Sequence, residues 1–371
     1  MKGINQTTMK HVLLLSLLMA SSQAFQAQHY RFLVGTYTNS GKSQGIYSYE
    51  MLGKTGAATQ KSVTTDVSNP NFLCVSPDQQ FVYAVNESPE GSAVNAYAFD
   101  AEAGKLTFLN RSLTNGKGPC FISSTRKHVF TANYGGGSLS VFGRNEDGSL
   151  SDLKQKIQHI GSSINLSRQS EPHVHQVVVL KNFVIANDLG TDNVTVYTYH
   201  PDAVSEILTP WDTLAVKPGS GPRHITFNRT GKLAYLVHEL DGTVSVLSFK
   251  NGRLGLLQEL TLKSDSSQKA WAADIHLSPD GKFLYASNRA PANNITCFNV
   301  GKGGKLELRS QVSTCGDGPR NFALSPDGKF LLVAHQFSNT IVIFKRDKKT
   351  GALTDTGERI DVGAPVCLLF Y

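Results

Sequence analysis

Residues 221–239, GPRHITFNRTGKLAYLVHE, return little changed at 318–336 as GPRNFALSPDGKFLLVAHQ. Each copy passes from Gly-Pro into a short apolar run, through a turn, and into a second apolar run ending in a polar residue. The same pattern is legible at 69–87 (NPNFLCVSPDQQFVYAVNE), 118–135 (GPCFISSTRKHVFTANYG) and 273–289 (ADIHLSPDGKFLYASNR). A diverged copy stands at 171–190 (EPHVHQVVVLKNFVIANDLG). Pro70, Pro119, Pro172, Pro222, Pro319 and Pro365 mark the repeat, and the copy at 273 lacks its proline. A repeat of about 50 residues built from short strands is the pattern of a β-propeller.

Each unit reads as four strands. After Pro222 they are HITFN, LAYLVHE, TVSVLSF and GLLQELTL, separated by RTGK, LDG and KNGR. Those turns supply residues that tolerate positive φ. The first unit, FLVGTYT, GIYSYEM and ATQKSVTT, is one strand short, and APVCLLF (364–370) is a strand without successors. Pairing the two completes a seventh blade and leaves no free edge. The expected fold is therefore all-β: a seven-bladed propeller of four-stranded antiparallel blades, a single domain over 28–371. GTYTNSGKSQG (35–45) contains an approximation to a phosphate-binding loop, and the full G-x-S-x-G pattern as Gly41-Lys42-Ser43-Gln44-Gly45. Both motifs require a helix next. Here the strand GIYSYEM follows, so the stretch is the strand–turn–strand crossing of blade 1.

Lys2 and Lys10 precede the apolar run VLLLSLLMA (12–20) and the small polar SSQA. That order predicts a signal peptide over 1–24, with cleavage as far as 27, and an exported, periplasmic chain. No later stretch is long enough for a membrane span. The formal charge is +7, and its one dense run, KRDKK (345–349), precedes a turn. This is a solvated turn, not a nucleic-acid surface. The cysteines Cys74, Cys120, Cys297, Cys315 and Cys367 lack metal-site spacing.

In an antiparallel blade the start of the first strand and the end of the second share one face of the ring. Second-strand ends read Tyr37, Glu87, Tyr134, Asp188, Glu239, Arg289 and Gln336. First-strand starts read Phe72, Phe121, His175, His224, Asp274, Asn321 and Cys367, with Arg223 and Arg320 just before. A pure scaffold would repeat one residue type here. Arg223, Arg289 and Arg320 around one axis suit an arriving anion. Asn133, Asn187 and Asn288 are candidates for substrate contact or for turn hydrogen bonds. His173 and His175 fall two apart on a strand, but no third ligand accompanies them, so a metal is not expected. The S-P-D-G turns (278–281, 325–328) belong to the opposite face.

These pieces resemble the seven-bladed propeller lactonase family, of 6-phosphogluconolactonase type, related to carboxy-cis,cis-muconate cyclase. GTYT, TANYGGGSLSVF, EPHVHQ, GPRH with HEL, SPDGKFLYASNR and GPRNFALSPDGKFLLVA carry the resemblance across nearly the whole chain. By motif, the catalytic set proposed for the cyclase branch falls on His175, Arg223, Glu239 and Arg289. His173, His224, Arg320, Asn133 and Asn288 surround it as expected substrate contacts. The resemblance implies hydrolysis of a sugar δ-lactone, without a cofactor, on a small anionic substrate. Water would be activated by Glu239 or His175, and arginines would hold the oxyanion and the anionic group. Three departures stand out: Phe121 replaces a His frequent after GPC, His335-Gln336 replaces a common Asn-Gln, and the leader suits a cytoplasmic sugar phosphate poorly. A cycloisomerase closing a lactone, and a non-catalytic binding propeller, remain open alternatives.

Overall fold

The computed structural model describes residues 28–371 except 89–90, 264 and 266–268. The predicted leader lies outside the described residues. Seven four-stranded antiparallel sheets make up the described chain. Blade 1 is ordered Pro365–Phe370, His29–Thr36, Ile46–Leu52, Ala58–Thr64, so the C-terminal strand lies innermost and closes the ring. Its register pairs Phe370 with Phe32, Leu368 with Val34 and Cys367 with Gly35. The remaining inner strands are Leu73–Val75, Pro119–Ser124, Val174–Leu180, Pro222–Phe227, Ala272–Leu277 and Pro319–Leu324.

Hydrophobic patterning explains the layering. Second strands such as His128–Asn133, Phe283–Asn288 and Phe330–His335 are buried along their whole length. The outermost strands alternate, as in Leu150–Gln158. A strand flanked by blades on both faces reads as continuous apolar sequence, whereas a rim strand alternates. The core is divided among seven clusters, each lying between two neighbouring blades. Phe32, Met51, Leu332, Ile343 and Leu368 join blades 7 and 1. Leu33, Leu73, Val82, Tyr97 and Cys367 join blades 1 and 2. The last strand therefore contributes to two interblade cores at once.

Three inner strands enter from a tight Gly-Pro bend. Gly118, Gly221 and Gly318, each just before a proline, adopt φ of 58°, 67° and 73°. Glycine occupies that left-handed region without a Cβ penalty, which accounts for the recurring Gly-Pro. One residue later the ladder slips. Opposite the second strand, Pro119 and Phe121 are paired but Cys120 is passed over. His175, Arg223 and Arg320 are passed over in the same way in blades 4, 5 and 7. Val366 is passed over in blade 1, and one residue of the pair Ala273–Asp274 in blade 6. A bulge re-aims the extra residue, and repeated in blades 1 and 3 to 7 it turns one side chain of each toward the axis.

The far end of the inner strands is scaffold. In the S-P-D-G turns Ser278 and Ser325 hydrogen-bond Asp280 and Asp327, and accept from Phe283 and Phe330 N–H. Arg346 of blade 7 reaches back to Asp280 of blade 6 at 3.2 Å. All five cysteines are free thiols.

Burial drives the imidazoles of His224, His238 and His335 down to about 4. Both ring nitrogens of His335 lack a partner among the described residues. A folded-state pKa below the unfolded value of about 6.5 stabilises the fold above pH 6.5, and this stabilisation is lost as the pH falls toward 4. Each such histidine contributes roughly 1.4 kcal/mol per pH unit in that window. Denaturant unfolding at pH 7.5, 6 and 5 is expected to show steadily falling stability. A flat profile would contradict the burial of these rings.

Candidate active site

At the mouth of the axial channel is a cavity of about 280 Å³ to which every blade contributes. Larger grooves of about 500 and 570 Å³ lie at Ser62–Arg111 and Leu180–Asn251 on the rim, away from the converging charges. The bulged positions form one tier of the mouth, with Cys120, His175 and Arg320 among them. The ends of the second strands form another, with Tyr37, Glu87, Tyr134, Glu239 and Arg289.

Glu239 is the hub. Its Oε2 accepts from Arg223 Nε at 2.9 Å and lies 2.9 Å from Arg289 Nη2. Its Oε1 accepts from Arg168 Nη2 at 2.5 Å. Burial alone would raise the Glu239 pKa, but Arg289, Arg223 and Arg168 outweigh it and hold the carboxyl far below the usual range. A carboxylate so engaged has little basicity left. The expectation that Glu239 takes a proton from water therefore does not fit this geometry; its side chain fixes the guanidinia.

Arg223 and Arg289 are each 1% exposed and rigidly held. Arg223 also donates to the carbonyl of Ala273. Asn187 in turn donates to the Arg223 carbonyl at 3.2 Å. Arg289 donates to the carbonyls of Trp271 at 3.1 Å and Ala272 at 3.3 Å, with its guanidinium 4.1 Å from the Trp271 ring. Arg320 is less committed: it donates to Tyr37 Oη at 3.3 Å and has no carboxylate within 4 Å among the described residues. Arg168, Arg289 and Arg320 thus line the mouth with Glu239 and Glu87, and Arg223 borders the void beneath, leaving an excess of positive charge.

His175 borders both this cavity and a small void of about 10 Å³ beneath it. Burial first, then Arg223, drives its pKa well down and keeps the imidazole neutral. Its ring sits edge-on to Tyr134 and to His224, and its Nδ1 is 3.8 Å from Cys120 Sγ.

The remaining expected substrate contacts lie elsewhere. His224 belongs one layer down, where Nδ1 is 2.8 Å from Asp274 Oδ1. His173 stacks on Tyr134 with Nδ1 2.9 Å from the Tyr134 carbonyl, and it does not line the cavity. Asn133 bonds Ser138 and Ser140. Asn288 accepts from Trp271 N–H at 2.9 Å. Both asparagines are fully buried in the scaffold, which removes them from substrate. Blade 4 also differs in register. Leu189, not Asp188, is the equivalent of Glu239, because its N–H bonds the carbonyl of His173 as the Glu239 N–H bonds that of Gly221. Asp188 instead receives His159 at 2.8 Å.

Sequence reasoning missed Arg168 and Trp271. Arg168 comes from the connection between blades 3 and 4, folded over the mouth by Gln169. The Gln169 side chain is fully buried and donates to the Leu189 carbonyl. No repeat position marks Arg168; Trp271 stands just before a repeat copy whose proline is missing.

Residues 31–370 match the family model described as lactonase, 7-bladed beta-propeller. The chain belongs to that family. It is 36% identical to a 6-phosphogluconolactonase of Formosa agariphila, covering 91% of this chain and 98% of that protein. It is 35% identical to the 6-phosphogluconolactonase of Bacillus subtilis, covering 91% and 97%. Among solved structures, the periplasmic gluconolactonase of Pseudomonas aeruginosa superposes with a TM-score of 0.89. That pair is 36% identical over 92% of this chain and 99% of the other.

Proposed function

We propose that the mouth hydrolyses the ring ester of an anionic sugar δ-lactone, giving the open-chain aldonic acid. The observation that carries this reading is the surplus of guanidinium charge around a cavity of sugar size. Attack of water on the lactone carbonyl builds negative charge on one oxygen. Arg289, which lines the cavity, is fixed by Glu239 and by backbone carbonyls before substrate arrives, so it stabilises that charge without reorganising, while Arg223 beneath holds Glu239 in place. Arg320, with most of its donors uncommitted, holds the anionic substituent. Trp271 and Tyr134 supply flat surfaces for the sugar ring.

Arg320→Ala is expected to raise KM roughly 10–100-fold with little change in kcat, the result of losing one charged hydrogen-bonding partner. Steady-state kinetics on glucono-δ-lactone and its 6-phosphate test this. The anionic lactone should lose more than the neutral one, and equal losses would contradict the assignment of Arg320.

Lys2, Lys10 and the 12–20 run support an exported mature protein, and the periplasmic relative is in keeping with it. N-terminal sequencing of the protein from its host should begin between residues 25 and 28. An intact Met1 in the cytoplasm would overturn export.

A further inference from the structure

Two carboxylates face the same mouth, Glu239 on blade 5 and Glu87 on blade 2, and their surroundings are opposite. Glu239 is bound by three guanidinia. Glu87 lines the cavity, yet its carboxylate has no hydrogen bond or ion pair among the described residues. Its Oε1 lies against the backbone of Gly118, where an added Cβ would come within 3.7 Å. Where two carboxyl groups of one site are driven apart in acidity, their roles separate. Glu239 is the fixed anion, and Glu87 is the one with a free lone pair.

We infer that Glu87 is the general base of the lactone hydrolysis, a role that rests on the reading of the mouth as a lactonase site. Its carboxylate takes a proton from water as the water oxygen bonds to the lactone carbonyl carbon. The carbonyl electron pair moves to oxygen, beside Arg289. When the intermediate collapses, the ring C–O bond breaks and the proton on Glu87 passes to the departing ring oxygen, which becomes a hydroxyl. The product carboxyl then gives its own proton to solvent, so one lactone and one water yield one hydroxy acid.

The electrostatics agree. Burial raises the Glu87 pKa, and Arg320 opposes that only in part. The other groups facing it across the cavity are Tyr37, Cys120, Tyr134, Arg168, Glu239, His175 and Arg289, with exposed Lys117 on the adjoining loop. A base with a raised pKa is a better proton acceptor near neutrality than one held far below. Because the base works ionised, activity should fall as the pH drops through the raised pKa of Glu87.

Glu87→Gln should lower kcat by roughly 10²–10⁴ with KM nearly unchanged, as expected for removal of a general base. The acidic limb of the kcat–pH profile should vanish with it. Glu87→Asp keeps the carboxylate one methylene further back and should retain that limb at reduced kcat. It decides the matter if Glu87→Gln fails to fold. Full kcat and an unaltered acidic limb in the folded Glu87→Gln protein, or full kcat in Glu87→Asp should the first not fold, would overturn the inference while leaving the lactonase reading intact. A wild-type protein that hydrolyses neither glucono-δ-lactone nor its 6-phosphate above the spontaneous rate would overturn both.

Discussion

A chain ending at residue 363 is expected to lose the ring and, with it, stable folding. Pro365–Phe370 is the innermost strand of blade 1, and its loss bares the edge of His29–Thr36. It also takes Leu368 from the core between blades 7 and 1, and Cys367 from the core between blades 1 and 2. Each buried side chain of this size contributes roughly 1.5–3 kcal/mol, so losing Val366, Cys367 and Leu368 costs on the order of 5–10 kcal/mol. That is comparable with the whole stability of an ordinary domain. An exposed strand edge also pairs with other chains. Thermal unfolding followed by circular dichroism, with size-exclusion chromatography, should show a poorly folded or aggregated product. A truncated protein that melts like the full chain would contradict closure by this strand.

Glu239→Gln should damage both stability and activity, because it strands Arg223 and Arg289 in a site where each is 1% exposed. Removing one partner of a buried ion pair typically costs about 3–5 kcal/mol. The denaturation midpoint should fall accordingly. The loss of activity should include a rise in KM as the guanidinia lose their fixed positions. Arg168→Ala should be milder, since the Arg168 side chain is 36% exposed and Glu239 keeps its other two partners. A Glu239→Gln protein as stable and as active as wild type would remove Glu239 from its place as the hub.

The seven-bladed ring was legible because repeat, turn chemistry and an orphan C-terminal strand all pointed one way. The tiers of the mouth were legible less evenly. Blade 4 reads one residue out of register because Pro172 stands two residues before the strand start Val174, whereas Pro222 is itself a strand start. The bulges at Cys120, His175, Arg223 and Arg320 break a strict two-residue alternation, so periodicity alone does not show that these four are equivalent. Arg168 sits in a connection outside the repeat. The contrast between Glu87 and Glu239 depends on which arginines reach which carboxylate, and that is fixed only by the packing of seven blades around one axis.

The proposed catalysis at this mouth rests above all on guanidinium groups preorganised to stabilise a lactone oxyanion. Proton release by purified protein on glucono-δ-lactone and its 6-phosphate, followed at constant pH and corrected for spontaneous hydrolysis, tests this in wild type and in Arg289→Ala. The expected result is hydrolysis by wild type and a kcat roughly 10²–10³ lower in a folded Arg289→Ala, the scale of losing one oxyanion donor. A folded Arg289→Ala protein that releases protons as fast as wild type would contradict oxyanion stabilisation at this mouth.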